Sequence, residues 1–185
     1  IGRMIASDPE KMRTFPTKAS HFGRLKHQKE GKKRKPKEFK ATHAGHRLAF
    51  DAIEKIVHGR RRHVITMTDV YSRFALAFCT TSHGSDAAKR FFQSISQVFP
   101  YKIEHVLTDN GSEFVKSFDE ELRRLCLIHW HAYPRTPKMN AHDERFNRSI
   151  QDEFIDFHTH LLLDPASFNG KLVECLTRFN TERPH

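Results

Sequence analysis

The chain reads as an α/β protein: a five-stranded mixed sheet with helices on both faces, in the order βββαβαβα with one more helix at the end. Three observations lead there. Apolar and polar residues alternate with period two through three successive stretches joined by short turns, the pattern of an antiparallel meander. After that the apolar spacing switches between helical and strand periods. Strands joined through helices run parallel by right-handed crossovers, which place helices on the sheet faces. With 185 residues, 37% of them hydrophobic, folding can bury roughly 70% of the unfolded surface, so a full core is within reach.

The elements follow in order. Ile1, Met4 and Ile5 stand at helical spacing with Pro9 past the stop, so residues 1–12 read as the end of a helix. Residues 13–42 lose periodicity. Pro16, Gly23, Gly31 and Pro36 break the run and Lys32, Lys33, Arg34 and Lys35 concentrate charge, as in a mobile basic linker. The core is read from residue 43. Leu48, Phe50 and Ala52 alternate with Ala49, Asp51 and Ile53 in a first strand, and His58-Gly59-Arg60 turns the chain. Val64, Thr66 and Thr68 alternate with Ile65, Met67 and Asp69 in a second strand, and Phe74 to Phe78 makes a third. Ser85 is the N-cap candidate of a helix that carries Ala88, Phe91, Phe92, Ile95 and Phe99 and stops at Pro100. Ile103 to Thr108 is a strand, Phe118 to Cys126 a helix, Leu127 to Tyr133 a strand, and Pro134 to Asn140 a loop. Asn140 caps a helix to about Phe157, with Phe146, Ile150, Phe154 and Phe157 on one stripe; Pro165 opens a last helix through Phe179.

Charge narrows the function. Residues 1–40 hold 13 basic and 4 acidic side chains against 19 and 18 in the remainder, so the net +10 belongs almost wholly to the first segment. A basic segment on a nearly neutral body suits a polyanion, because Lys and Arg near phosphates release condensed counterions; the plain alternative is a solvated linker. No apolar run approaches the ~20 residues that span a bilayer, so no membrane partner is expected. Three cysteines, Cys79, Cys126 and Cys175, stand far apart without a C-x-x-C pair. A disulfide scaffold and a cysteine zinc site are therefore not expected, which fits a reducing, intracellular compartment. The start at Ile1 and the stop at Pro184-His185 read as those of an excised piece.

Three carboxylates fall in unusual places. Asp51 lies inside the first strand between Phe50 and Ala52, where a charge is costly unless a partner or metal satisfies it. Asp109 ends the fourth strand, and Glu144 sits in the first turn of the helix after Asn140, where the dipole favours an ionised carboxylate. If strands one and four are neighbours, the aspartates meet and the helix lays Glu144 across them. An all-oxygen set of few ligands, leaving positions for water and phosphate, suits Mg²⁺ or Mn²⁺. Arg135, Lys138, Arg145 and Arg148 surround this region in sequence and can clamp phosphates, against the alternative of a solvated face.

Four segments taken in order, His46-Arg47-Leu48-Ala49-Phe50-Asp51, Thr68-Asp69-Val70-Tyr71-Ser72-Arg73-Phe74, Leu107 to Phe114 and Pro134 to Ser149, resemble a known family. With the closing Phe179-Asn180-x-x-Arg183-Pro184-His185, residues 43–185 resemble the integrase-core (rve-type) DDE transposases of bacterial insertion sequences, relatives of retroviral integrases with a ribonuclease H-like fold. The 34 residues between Asp109 and Glu144 are close to the family's spacing. The resemblance implies that Asp51, Asp109 and Glu144 are the catalytic, metal-holding residues, with two Mg²⁺ (or Mn²⁺) ions per site. It also implies DNA strand cleavage and strand transfer. Double-stranded DNA, as element ends and target, would meet Arg135, Lys138, Arg145, Asn147 and Arg148, with Lys32, Lys33, Arg34 and Lys35 in the linker. It further implies a homo-oligomer in a synaptic complex, residues 1–12 as the tail of a helix-turn-helix domain, a C-terminus that continues, and a bacterial cytoplasmic protein working on nucleoid DNA.

The chain departs from the family at Asn140-Ala141, commonly Asn-Gly, and at Asp143, commonly apolar. Asp143 therefore competes with Glu144. Helical phase favours Glu144, which shares a face with Asn147, Arg148 and Gln151, whereas Asp143 leans towards the Phe146 stripe and sits at a capping-box position from Asn140. Asp69 reads as a strand-end structural residue, Glu113 as a local cap or an auxiliary to Asp109, and His129, His131 and His142 as structural histidines or phosphate contacts. The rival readings are a ribonuclease H-fold nuclease that only hydrolyses, an inactive DNA-binding relic of a transposase, and a purely structural basic protein. A tyrosine recombinase would need Tyr71, Tyr101 or Tyr133 as nucleophile without supporting residues.

Overall fold

The computed structural model describes residues 31–133 and 141–183. The segment read as a helix-turn-helix tail, residues 1–12, and the first part of the linker lie outside the described residues, as do Arg135, Lys138 and Asn140. Among the described residues five strands form one sheet in the order β3-β2-β1-β4-β5. They are β1 (Arg47–Val57), β2 (Arg60–Asp69), β3 (Ala75–Thr80), β4 (His105–Thr108) and β5 (Ile128–His131). The first three pair antiparallel; β4 pairs parallel with β1, and β5 parallel with β4. This is the predicted meander followed by crossovers, carried by α1 (Ser85–Val98) and α2 (Ser117–Arg124). Two helices, α3 (Ala141–Ile150) and α4 (Pro165–Thr181), follow.

Strand alternation divides the apolar residues between two cores. Leu48, Phe50, Ile65 and Met67 face α1 and α2 and pack with Phe92, Phe114, Phe118 and Leu122. Ile53, Val64, Ala75 and Cys79 face the other way, against Phe146, Ile150 and Phe154 and the α4 residues Phe168, Leu172 and Leu176. Asp51 alternates with Phe50 and so belongs to the α3 face. The β1–β2 hairpin closes through His58 and Gly59, both at positive φ, as a two-residue type I′ turn needs.

Four local expectations change. The α1 N-cap is Gly84 without a side-chain cap bond, and Ser85 is the first helical residue, its hydroxyl donating to Ser117 Oγ at 3.3 Å. The helix after residue 140 leaves α geometry at Gln151, continuing as a π turn over Gln151–Ile155 and 3-10 turns over Asp156–Leu163. That change of winding rotates Phe157 out of the stripe, and it is 73% exposed. The compact unit starts at Lys33 rather than at residue 43. His131 N–H donates to Lys33 O at 2.9 Å, and Phe39 packs on Leu107 and Trp130, so residues 33–42 add to the core instead of linking to it.

Candidate active site

Asp51 and Asp109 meet because of strand register. Parallel pairing of β1 with β4 ends at Phe50 opposite Thr108, and the two aspartates are the next residues on their chains. Asp51 Oδ2 accepts from Asn147 Nδ2 at 2.8 Å and Oδ1 accepts from Ala52 N–H at 2.8 Å. Burial pushes its pKa up to about 6; the Ala52 hydrogen bond opposes that shift, and the charges of Asp109 and Glu113 add to it. Asp109 Oδ1 accepts from Gly111 N–H at 2.7 Å, which orients it in the loop leaving β4. Behind it, His129 joins Asp119 (2.9 Å) to Thr108 (3.0 Å) and His131 Nδ1 stands 3.3 Å from Asp109 O. These two histidines are buried supports of the Asp109 loop. Glu113 is buried within the same acidic group and pairs with His83 at 3.3 Å.

The α3 helix brings the third carboxylate. Glu144, Asn147, Arg148 and Gln151 line one open cavity with Asp51, as helical phase predicts. Asp143 turns the other way. It is fully buried, its Oδ1 accepts from Thr68 Oγ1 at 3.0 Å, and Oδ2 has no hydrogen-bond partner. Burial raises its pKa well above the usual carboxylate range, the charges of Asp51, Glu144 and Asp109 add to the shift, and the Thr68 hydrogen bond opposes it. The ligand oxygens of Asp51, Asp109 and Glu144 are not all within 4.8 Å of one another. Like charges in one place repel, and Glu144 is exposed.

The basic residues divide. Arg148 lines the Asp51 cavity, whereas Arg145 lines a separate depression with Arg73, His142 and Arg183. Asn147, expected to face DNA, gives its amide to Asp51. Lys32 and Lys33 are exposed, Lys35 is buried, and Arg34 Nη1 donates to the Ala132 carbonyl and to Asn110 Oδ1 at 3.2 Å. Asp69 is a structural strand-end residue: its carboxylate accepts from Gly45 N–H (3.3 Å) and Ser72 N–H (3.0 Å). Residue types alone did not reveal the Thr68–Asp143 and Asn147–Asp51 contacts, which join positions 75 and 96 apart.

Comparison with known proteins addresses the family and the fold. The integrase core domain family matches residues 41–137. The protein named "Putative integrase ORF3" of Spiroplasma virus SpV1-C74 is 26% identical over 143 residues, 68% of this chain and 39% of that protein. The chain thus spans about two fifths of the length of this curated relative. Among solved structures, a chain of the simian T-cell lymphotropic virus intasome in complex with PP2A regulatory subunit B56 gamma superposes with a TM-score of 0.65 at 17% identity, over 77% of this chain and 50% of that one. The HTLV-2 integrase catalytic core domain in complex with magnesium, in its trimeric form, gives 0.58 at 20% identity, over 76% and 88%. The BIV integrase catalytic core gives 0.59 at 16% identity, over 76% and 87%. The sheet has the fold of these retroviral integrase cores, and the family match across more than half of its length makes this chain a member of the integrase core domain family.

Proposed function

We propose that this chain is the catalytic core of a DNA transposase or integrase that cleaves DNA strands and joins them by metal-dependent phosphoryl transfer. The observation that carries the reading is the register-matched pair Asp51 and Asp109, with Glu144 in the same cavity as Asp51. The residues fit a hard divalent cation: the donors are all carboxylate oxygens, and burial with neighbouring negative charge makes ionised Asp51 costly by itself. Asp51, Asp109 and Glu144 would hold Mg²⁺ or Mn²⁺, two ions per site, which when bound supply Lewis acidity to the attacking and leaving oxygens of an in-line displacement.

The chain's own groups set the geometry. Asn147 fixes the Asp51 carboxylate and the Gly111 amide fixes that of Asp109, so both are oriented before substrate arrives. Glu144 completes the set by a side-chain movement on a rigid helix. Arg148, which lines the Asp51 cavity, would meet a phosphate there, and Arg135, Lys138, Arg145, Lys32 and Lys33 are the further DNA contacts of this reading. Double-stranded DNA is the substrate, and joining two ends calls for a second copy of the chain. The chain would act where that DNA is, in a bacterial cytoplasm; no helix among the described residues is long and apolar enough to cross a membrane.

Nicking of supercoiled plasmid with Mg²⁺ or Mn²⁺, followed by a strand-joining assay, tests this. Activity should disappear in Asp109→Asn and in Glu144→Gln. Nicking without joined products would favour a hydrolytic nuclease. Activity that survives both substitutions would refute the carboxylate site.

A further inference from the structure

We propose that His46, Glu104 and His105, with His43 beside them, form a second metal site that takes a borderline transition-metal ion of the Zn²⁺ class. One ligand atom from each of the first three lies within 4.8 Å of the others. Backbone pairing puts them together: β1 and β4 run parallel with Arg47 opposite His105, so His46 and Glu104 stand one step earlier on adjacent chains. This is the opposite end of β4 from Asp109. His46 lies five residues before Asp51, about 16 Å along an extended strand. The two sites are therefore separate.

The local hydrogen bonds set the proton on each ring. His105 Nδ1 donates to the His46 carbonyl at 2.9 Å, which leaves Nε2 with its lone pair outward. His46 Nδ1 accepts from Thr42 N–H at 3.2 Å and stands 3.1 Å from Thr42 Oγ1, so the proton of the neutral ring sits on Nε2, 3.9 Å from Glu104 Oε2. Metal capture at His46 Nε2 shifts the ring proton to Nδ1, where Thr42 Oγ1 accepts it, and the exposed Thr42 N–H exchanges its ring acceptor for solvent. His43 stacks on His46, ring centroids 4.5 Å apart at 9°, and its Nε2 is 3.3 Å from Glu104 Oε1. An apolar floor backs the cluster: Phe39 lies 4.7 Å from His46, and Trp130 stacks on His105 at 4.3 Å.

Donor chemistry separates this site from the first. Imidazoles with one carboxylate favour Zn²⁺, Co²⁺ or Ni²⁺, whereas three carboxylates favour Mg²⁺ or Mn²⁺. A bound ion would cross-link the starts of β1 and β4 and the segment that carries Phe39 onto the sheet.

The test uses the untagged chain in excess Mg²⁺, titrated with Zn²⁺ and followed by emission of Trp130, the chain's single tryptophan. Metal analysis after dialysis gives the stoichiometry. One Zn²⁺ per chain is expected, with a saturable emission change and a raised Tm, and Co²⁺ should give the visible bands of tetrahedral coordination. Glu104→Gln and His46→Gln should each weaken binding at least about tenfold, while Asp109→Asn leaves it unchanged. His43 is exposed, so His43→Gln keeps the fold and should weaken binding several-fold even if the other variants unfold. No stoichiometric Zn²⁺, binding that survives all three cluster variants, or binding lost in Asp109→Asn would each overturn the proposal and leave an ordinary His–Glu ion pair.

Discussion

Asp51 concentrates the tension of the site in one residue. A strand interior surrounded by Phe50, Ala52 and the α3 face makes a charge there costly, and its carboxyl is pushed up to about 6. Asn147 is the chief side-chain counterweight, because its amide donates to the ionised form. Asn147→Ala should therefore lower metal-dependent nicking by about 10–100-fold, the usual cost of losing a group that orients a metal ligand. It should also move the acid limb of the pH–rate profile to higher pH, since the hydrogen bond that lowers the Asp51 pKa is gone. A purely structural role would change the rate without moving the profile. Asp143 teaches a different lesson at the same scale. Its identity invited a catalytic reading, but it is buried against Thr68, away from the Asp51 cavity, and burial raises its pKa. Asp143→Asn should keep both the fold and nicking, and an activity loss matching Glu144→Gln would contradict this assignment.

Among the elements, the edge strand β3 is protected by side chains rather than by another strand. Asn180 accepts from Ala75 N–H and donates to Ala75 O, both at 2.8 Å. Asn169 does the same for Cys79, at 2.8 and 3.0 Å. Two amides from α4 thus satisfy backbone groups that an exposed edge would offer to a neighbouring chain. The Phe179-Asn180 pair that carries part of the family resemblance has a physical role here: Phe179 packs on Phe146 at 5.0 Å while Asn180 closes the edge. Asn180→Ala should cost about 1–3 kcal/mol in urea unfolding, the penalty of leaving buried backbone groups unpaired. Gly45 makes a similar demand at the start of β1. Its φ is +82° and a Cβ would collide with the Lys102 carbonyl oxygen. Gly45→Ala should then destabilise by about 1–3 kcal/mol, and the same experiment reads it.

For the whole molecule, buried Asp51 works against folding at neutral pH, and a cation bound as proposed would relieve that penalty. A carboxyl whose folded-state pKa is raised binds its proton more tightly in the folded protein. Its penalty is present above about 6 and relieved as pH falls towards the unfolded value of 3.8. Without divalent cations, Asp51 should therefore make the protein less stable at pH 7 than at pH 5. Asp51→Asn should raise the Tm at pH 7, and added Mg²⁺ should stabilise wild type more than the variant. Glu121 contributes with the opposite sign. Hydrogen bonds from Arg124 and Gln93 hold its pKa at about 2, so its stabilisation is present above the ordinary 4.5 and is lost as pH falls towards 2. Thermal melts from pH 3 to 8, with and without Mg²⁺, separate the two.

What the sequence determined by itself was whatever depends on local periodicity. Period-two alternation set the meander and put Asp51 opposite Phe50 in the strand, and period 3.6 grouped Glu144 with Asn147, Arg148 and Gln151 on one helix face. These follow from bond geometry that repeats along the chain. The tertiary structure decided what depends on residues far apart in sequence. Parallel register of β1 and β4 brought Asp51 beside Asp109 at one end, and His46 beside Glu104 and His105 at the other. Pairing with β5 drew residues 33–42 onto the core, and burial against β2 took Asp143 away from the Asp51 cavity and raised its pKa. Burial and pairing are sums over neighbours that only folding assembles, and no spacing along the chain encodes them.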